Sequence, residues 1–224
     1  MTRYQRIPEH GNVAGLFTER HTTYERFIRV VRYQQGIRAF FLESPILRSG
    51  LRVLDAGCGT GVITQALRGA LIRRQMDVGR IHAFDLTPAM LRRFRLALDS
   101  RGIDGVEMLQ ANVLQMEKLP ATWTDYDLIV SASMLEYVPP DQLPNALAGL
   151  RERLANDGTL VVFITKRNWL THPLIGWWWR SNLYSRQELV RAFQAAGFSR
   201  VDFARFPLAA CYLGLWGYAI EARR

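Results

Sequence analysis

Hydrophobic positions along the chain follow two alternating periods. Phe27, Val30, Val31, Gln34 and Ile37 fall at helical spacing with arginines between them, which predicts a helix over Thr22–Leu42. Leu51–Asp55 reads as a short strand, and Val62–Arg74 as the helix that follows it. Arg80–Asp85 is a second strand. Thr87 and Pro88 then open a helix, with threonine placed to cap and proline in the first turn, and Met90, Leu91, Phe94 and Leu98 form its apolar face. Gly105–Gln110 is a third strand. Tyr126–Ser131 is a fourth, continuous in its apolar residues as a central parallel strand should be. Leu143, Leu147, Leu150 and Leu154 mark a helix ending before Gly158, and Thr159–Thr165 is a fifth strand. The run Ser185-Arg186-Gln187-Glu188 is a capping box that opens a helix stopping at Gly197. Phe198–Phe206 and Gly217–Ala222 follow without a clear helix between them, so an antiparallel pair is expected there. Strands that alternate with helices predict an α/β fold with a parallel sheet covered on both faces.

Composition narrows this picture only slightly. The chain has 224 residues, which suits one α/β domain, 1–224. The formal net charge is +9, carried almost entirely by arginine, since Lys118 and Lys166 are the only lysines. The arginines are scattered, which fits a solvated surface better than a dedicated polyanion site. Cys58 and Cys211 are the only cysteines and show no metal-ligand spacing, so no structural metal is expected and a reducing compartment is the simplest reading. The N-terminal MTRYQRIPEHG lacks the apolar core of a signal peptide. Phe206–Ile220 is the longest uncharged stretch. It is too short to span a bilayer and contains a proline and two glycines, so it reads as buried strand and loop. A cytoplasmic protein is expected.

Chemistry concentrates first in Val53–Gly61, VLDAGCGTG. A strand, a glycine loop and a helix form the general plan for holding a nucleotide-like ligand at a helix N-terminus. Here the pattern is GxGxG, with Val62 where a dinucleotide loop needs its third glycine. Asp55 stands two residues before the first glycine. It would repel a pyrophosphate, yet it attracts a cationic, phosphate-free ligand by a few kcal/mol at an effective dielectric near 20. Asp85, at the end of the second strand, is placed to accept hydrogen bonds from both ribose hydroxyls; its plainer reading is a cap on the Thr87 helix.

Leu51–Gly61, Asp85, Gln110–Val113 and Tyr126–Val138 together resemble the successive motifs of the class I S-adenosylmethionine (SAM)-dependent methyltransferases, small-molecule type. The resemblance runs from Leu51 to Thr165. It implies a single Rossmann-like domain with a seven-stranded, mostly parallel sheet, an antiparallel last strand and helices on both faces. It also implies SAM as cofactor. Its implied contacts are Asp55, Gly57, Cys58, Gly59 and Gly61 at the methionine end, Asp85 and Leu86 at the ribose, and Asn112 and Val113 along the adenine. Ser131 and Met134 would flank the methionine part. Asn112 replaces the family's frequent aspartate. The interval from Asp55 to Asp85 is longer than usual, with the excess in Arg68–Gly79.

The acceptor is less legible. SAM brings its own leaving group, so an enzyme of this kind mainly aligns a nucleophile and excludes water, and needs a base only for an acceptor that must lose a proton. His21 and His172 are the base candidates. Tyr24 and Tyr137 are candidates for the site lining. No NPPY-like tetrapeptide and no proline–cysteine pair is present, which argues against a nucleic-acid acceptor. The unusual stretch is Asn168–Tyr184, NWLTHPLIGWWWRSNLY, with Trp169, Trp177, Trp178 and Trp179. Three consecutive tryptophans cannot all point into one core from a regular element. An apolar substrate pocket, peripheral contact with a membrane surface and ordinary packing all remain open readings. The expected organisation places 1–45 as an N-terminal helical cap and 166–184 as a substrate-side insertion. The expected activity is methyl transfer to a small, apolar or aromatic acceptor. The alternatives are an RNA methyltransferase using the arginine surface and a non-catalytic SAM-binding scaffold.

Overall fold

The computed structural model describes residues 32–169, 171 and 181–224. Helix α1 (Tyr33–Glu43) precedes strand β1 (Val53–Ala56), helix α2 (Val62–Arg73), β2 (Ile81–Asp85), α3 (Pro88–Asp99) and β3 (Val106–Gln110). Then come β4 (Tyr126–Ala132), α4 (Leu143–Glu152), β5 (Leu154–Thr165), α5 (Arg186–Ala195), β6 (Arg200–Ala204), the short helix α6 (Leu213–Trp216) and β7 (Gly217–Arg223). They form one seven-stranded sheet in the order β3-β2-β1-β4-β5-β7-β6. All neighbours are parallel except β7, which runs antiparallel to both β5 and β6.

Burial follows from this order. The central strands β1 and β4 are apolar almost throughout, whereas the edge strands β3 and β6 alternate. One face of the sheet is covered by α4 and α5, whose Leu147, Leu150, Leu189 and Phe193 pack with Ile129, Leu160 and Val162. The other face is covered by α1, α2 and α3. There Phe40 and Phe41 of α1 meet Phe163 of β5 edge-on, with ring centroids 5.1 and 6.0 Å apart.

Several local expectations need correction. The last two strands are separated by a 3-10 turn at Leu208–Ala210 and by α6, not by loop alone, and these pieces seat Ala210 and Leu213 against α1 at Gly36. Leu154 begins β5 rather than ending α4, because its backbone pairs with Tyr126. Thr87 sits at the N-cap of α3 without a capping side-chain bond. Its N–H and hydroxyl are both drawn to the Asp85 carboxylate instead. The helix expected from Thr22 is described only from Tyr33 onward. The capping box of α5 forms in full, with Glu188 accepting the Ser185 N–H at 2.7 Å.

The end of the sheet opposite the glycine loop holds a buried aromatic knot. His82 stacks on Trp123 at 4.3 Å and places Nδ1 2.6 Å from the Tyr126 hydroxyl. Burial holds its pKa below the usual histidine value, and Arg52 and Arg80 act in the same direction against the opposing pull of Glu107. A histidine depressed in the folded state stabilises the protein above its unfolded pKa and loses that contribution as pH falls through the folded one. The urea midpoint of the wild type relative to that of His82→Phe should therefore fall as pH drops from about 6.5 toward 5, a difference in which the buried carboxyls common to both proteins cancel.

Candidate functional site

The C-terminal ends of β1 and β4 lie side by side, where the strand order reverses direction. That is the switch point at which open α/β sheets bind ligands. From β1 the chain enters Gly57–Gly61, where Gly57, Gly59 and Gly61 take φ of +73°, +52° and +80°. Two of these positions also exclude a side chain by contact. A Cβ on Gly57 would lie 2.4 Å from Met134 Cγ, and one on Gly61 would lie 2.0 Å from Phe94 Cε2.

The loop's own donors are turned inward. The N–H groups of Gly57 and Cys58 both donate to the Phe84 carbonyl at 2.9 Å, and Gly61 N–H donates to the Cys58 carbonyl at 2.8 Å. Gly59 N–H donates to Asp85 Oδ2 at 2.9 Å. A phosphate cradle needs such groups free and aimed at the anion. Here four of the loop's five N–H groups, all but that of Thr60, are engaged in this way, which weakens the attraction for a pyrophosphate.

Asp55 lies buried beneath the loop. Its Oδ2 accepts from the Thr64 N–H at 3.1 Å and the Thr64 hydroxyl at 2.6 Å, fastening β1 to the first turn of α2. Its Oδ1 is buried without a partner among the described residues. Burial raises its pKa to about 7 against the pull of the Thr64 bonds, and Asp85 adds to the rise. Ser131, in register with Ala56, also has a buried Oγ without a partner among the described residues. Buried polar atoms of this kind ask for a partner. A cationic, hydrogen-bond-donating ligand answers the Asp55 carboxylate in a way that a phosphate cannot.

The other sequence candidates fall around this loop. Asp85 Oδ1 accepts the Thr87 N–H at 2.8 Å, so with the Gly59 N–H and the Thr87 hydroxyl three of the four lone-pair sites of its carboxylate are occupied. The adjoining Leu86 carbonyl accepts from Gln110 Nε2 at 3.3 Å. Asn112 Oδ1 accepts the Leu114 N–H at 3.0 Å and so caps the 3-10 turn that starts at the buried Val113. Met134 packs on Gly57. Burial, with Asp55 and Asp85 nearby, pushes the Cys58 thiol well up, so it stays neutral. Tyr137 closes the turn after β4, and Trp169 stands beyond β5 with 86% of its surface exposed. His21, Tyr24, His172, Trp177, Trp178 and Trp179 lie outside the described residues.

One residue of the site was not singled out from sequence. Glu136, in the turn after β4, is almost wholly buried, and burial raises its carboxyl to about 7. An acid inside the apolar run Met134–Val138 is the signal that was available. Among the described residues no cluster of three or more metal-ligating side chains occurs.

A family model described as a methyltransferase domain matches residues 53–158. This stretch is a methyltransferase domain, and the chain's sequence and fold relatives include class I SAM-dependent methyltransferases. Among curated methyltransferase-fold relatives, it is 32% identical over 156 residues to a malonyl-[acyl-carrier protein] O-methyltransferase of Halorhodospira halophila, covering 69% of this chain and 48% of that one. It is 30% identical over 111 residues to a carboxy-S-adenosyl-L-methionine synthase of Stutzerimonas stutzeri, covering 50% and 44%. The chain thus spans less than half the length of these relatives. The fold also matches magnesium protoporphyrin IX methyltransferase from Synechocystis with bound SAM, at TM-score 0.65 and 16% identity, over 99% of this chain and 100% of that one.

This kinship makes the glycines and Asp55 testable. Gly57→Ala should weaken SAM binding by at least about tenfold, because left-handed strain of about 1–2 kcal/mol adds to displacement of Met134. Gly102→Ala carries comparable strain far from the loop, where a Cβ meets nothing within 4 Å, and should leave calorimetric SAM affinity unchanged. A cationic ligand favours the Asp55 carboxylate and so releases its proton. SAM affinity should rise with pH through about 7, more steeply than that of S-adenosylhomocysteine (SAH), which lacks the sulfonium charge, and Asp55→Asn should flatten the difference.

Proposed function

We propose that the protein transfers the methyl group of SAM directly, in line, to a small apolar or aromatic acceptor. The observation that carries this reading is the glycine loop, four of whose five backbone donors are internally engaged, above a buried, half-satisfied Asp55. SAM, when bound, supplies a methyl group on a sulfonium that is already a good leaving group. The chain's own residues then hold and orient. At the end of β2 the Asp85 carboxylate offers its remaining lone pair to a ribose hydroxyl, while Asp55 and Ser131 offer their free oxygens near the loop and Asn112 and Val113 border the adenine. In-line alignment of acceptor and methyl is the larger part of the catalysis required.

The acceptor side is assigned to the segment 166–184, with 1–45 as an N-terminal cap. Support comes from the region where β5 ends. Trp169 is exposed there, and the exposed Leu215 is tied to the preceding residue, its carbonyl accepting from Asn168 Nδ2 at 2.8 Å. Large apolar side chains held at the ligand end of a sheet suit an apolar acceptor better than a polyanion. Among the described residues no helix is long and apolar enough to cross a membrane.

The deciding experiment incubates the protein with methyl-labelled SAM and a cell extract, then sorts the label. Label in the solvent-extractable small-molecule fraction is the expected result. Label in RNA overturns the acceptor class, and SAM binding without label in any fraction indicates a scaffold. Trp169→Ala should cut labelling at limiting extract by about tenfold or less while leaving SAM affinity intact, since loss of one aromatic contact is worth about 1 kcal/mol.

A further inference from the structure

The turn that follows β4 touches two regions. At its start Met134 lies against the backbone of Gly57, so tightly that no Cβ fits between them. Two residues later Glu136 is buried and reaches away from the loop. Its Oε2 accepts the N–H of Thr165, the last residue of β5, at 2.9 Å. Its main-chain carbonyl accepts the N–H of Asn182 at 2.8 Å, and Asn182 Nδ2 donates in return to the Val138 carbonyl at 2.9 Å.

Thr165 and Asn182 belong to two limbs of chain, Thr165–Asn168 and Ser181–Tyr184. The limbs also hold each other. Lys166 and Tyr184 form a parallel bridge, Arg167 N–H donates to the Tyr184 carbonyl at 2.9 Å, and Arg167 Nε donates to the Leu183 carbonyl at 3.0 Å. Glu136 therefore fastens both limbs with two different acceptors, one on its side chain and one on its backbone. Only Leu135 separates it from Met134, and Leu135 and Val138 are buried in the core. So short and well-packed a turn moves as one piece, because packed interiors transmit displacement rather than absorb it.

We infer that Glu136 is a positioning residue. The turn Met134–Glu136 couples the SAM loop at Gly57 to the limbs at Thr165 and Asn182, so that filling the donor site tightens the acceptor side. The inference rests on the proposed function, which supplies the donor ligand and assigns these limbs to the acceptor. Coupling of this kind is reciprocal, so whatever orders the limbs also tightens donor binding. A Glu136 that merely braced the fold would hold Thr165 and Asn182 equally well with the donor site empty or filled.

Amide hydrogen exchange with and without saturating SAH separates these cases, with SAH affinity measured calorimetrically on the same samples. SAH should slow exchange at Thr165 and Asn182 by about tenfold in the wild-type protein, a shift in local opening that exchange reads directly. Glu136→Gln keeps an acceptor for Thr165 and should retain the effect. Met134→Ala removes the contact with Gly57 and should abolish the SAH-linked slowing at both amides at saturating SAH. Glu136→Ala should lose it at Thr165; if that variant does not fold, Met134→Ala and Glu136→Gln carry the test. SAH binding to wild type without slowing at either amide overturns the coupling, as does full slowing in Met134→Ala. Absence of SAH binding to wild type overturns the proposed function itself and the coupling with it.

Discussion

The carbonyl of Phe84 accepts two hydrogen bonds at once, from Gly57 and Cys58, and the site depends on this junction. It fastens the glycine loop across the top of β2, next to Asp85, whose carboxylate takes the Gly59 N–H. With those donors engaged, the loop presents curvature and carboxylates rather than an anion nest. The backbone alone thus disfavours an anion at the loop. Three glycines with positive φ are the condition for that turn, since each must bend where a side chain would strain or collide.

The same junction explains the placement of buried acid. Asp55 lies in β1 and Glu136 follows the neighbouring β4, and both are pushed to about 7 by desolvation. Asp55 faces the loop from below with one oxygen bonded and one without a described partner, whereas Glu136 is directed to Thr165. Burying carboxyls costs stability unless they are neutralised or paired. One is left half-satisfied, and the other is held by the last residue of β5.

Much of the donor half was legible because it is local. The strand, loop and helix from Val53 to Arg73 are contiguous, and Asp85 is recognisable from its place at a strand end. The same holds for the capping box at Ser185. Features made by distant residues were not legible. Glu136 reads as a turn acid until Thr165 and Asn182 meet it across β5. His82 looks like one more alternating position until Trp123 and Tyr126 enclose it. The Thr87 cap failed because Asp85, two residues earlier, competes for the same groups. The helices at Leu208–Ala210 and Leu213–Trp216 are too short to carry a period.

The antiparallel β7 has a consequence for how the chain is assembled. Among the described residues β6 pairs with no strand except β7, and β7 fills the place beside β5. Until Gly217–Arg223 has left the ribosome, the apolar edge of β5 stays open and β6 has no backbone partner. The parallel half of the sheet, with the donor loop, can be in place while that edge remains an unpaired template for other nascent chains. A cell making this protein thus has a vulnerable interval set by strand order, which closes when the last seven-residue strand inserts.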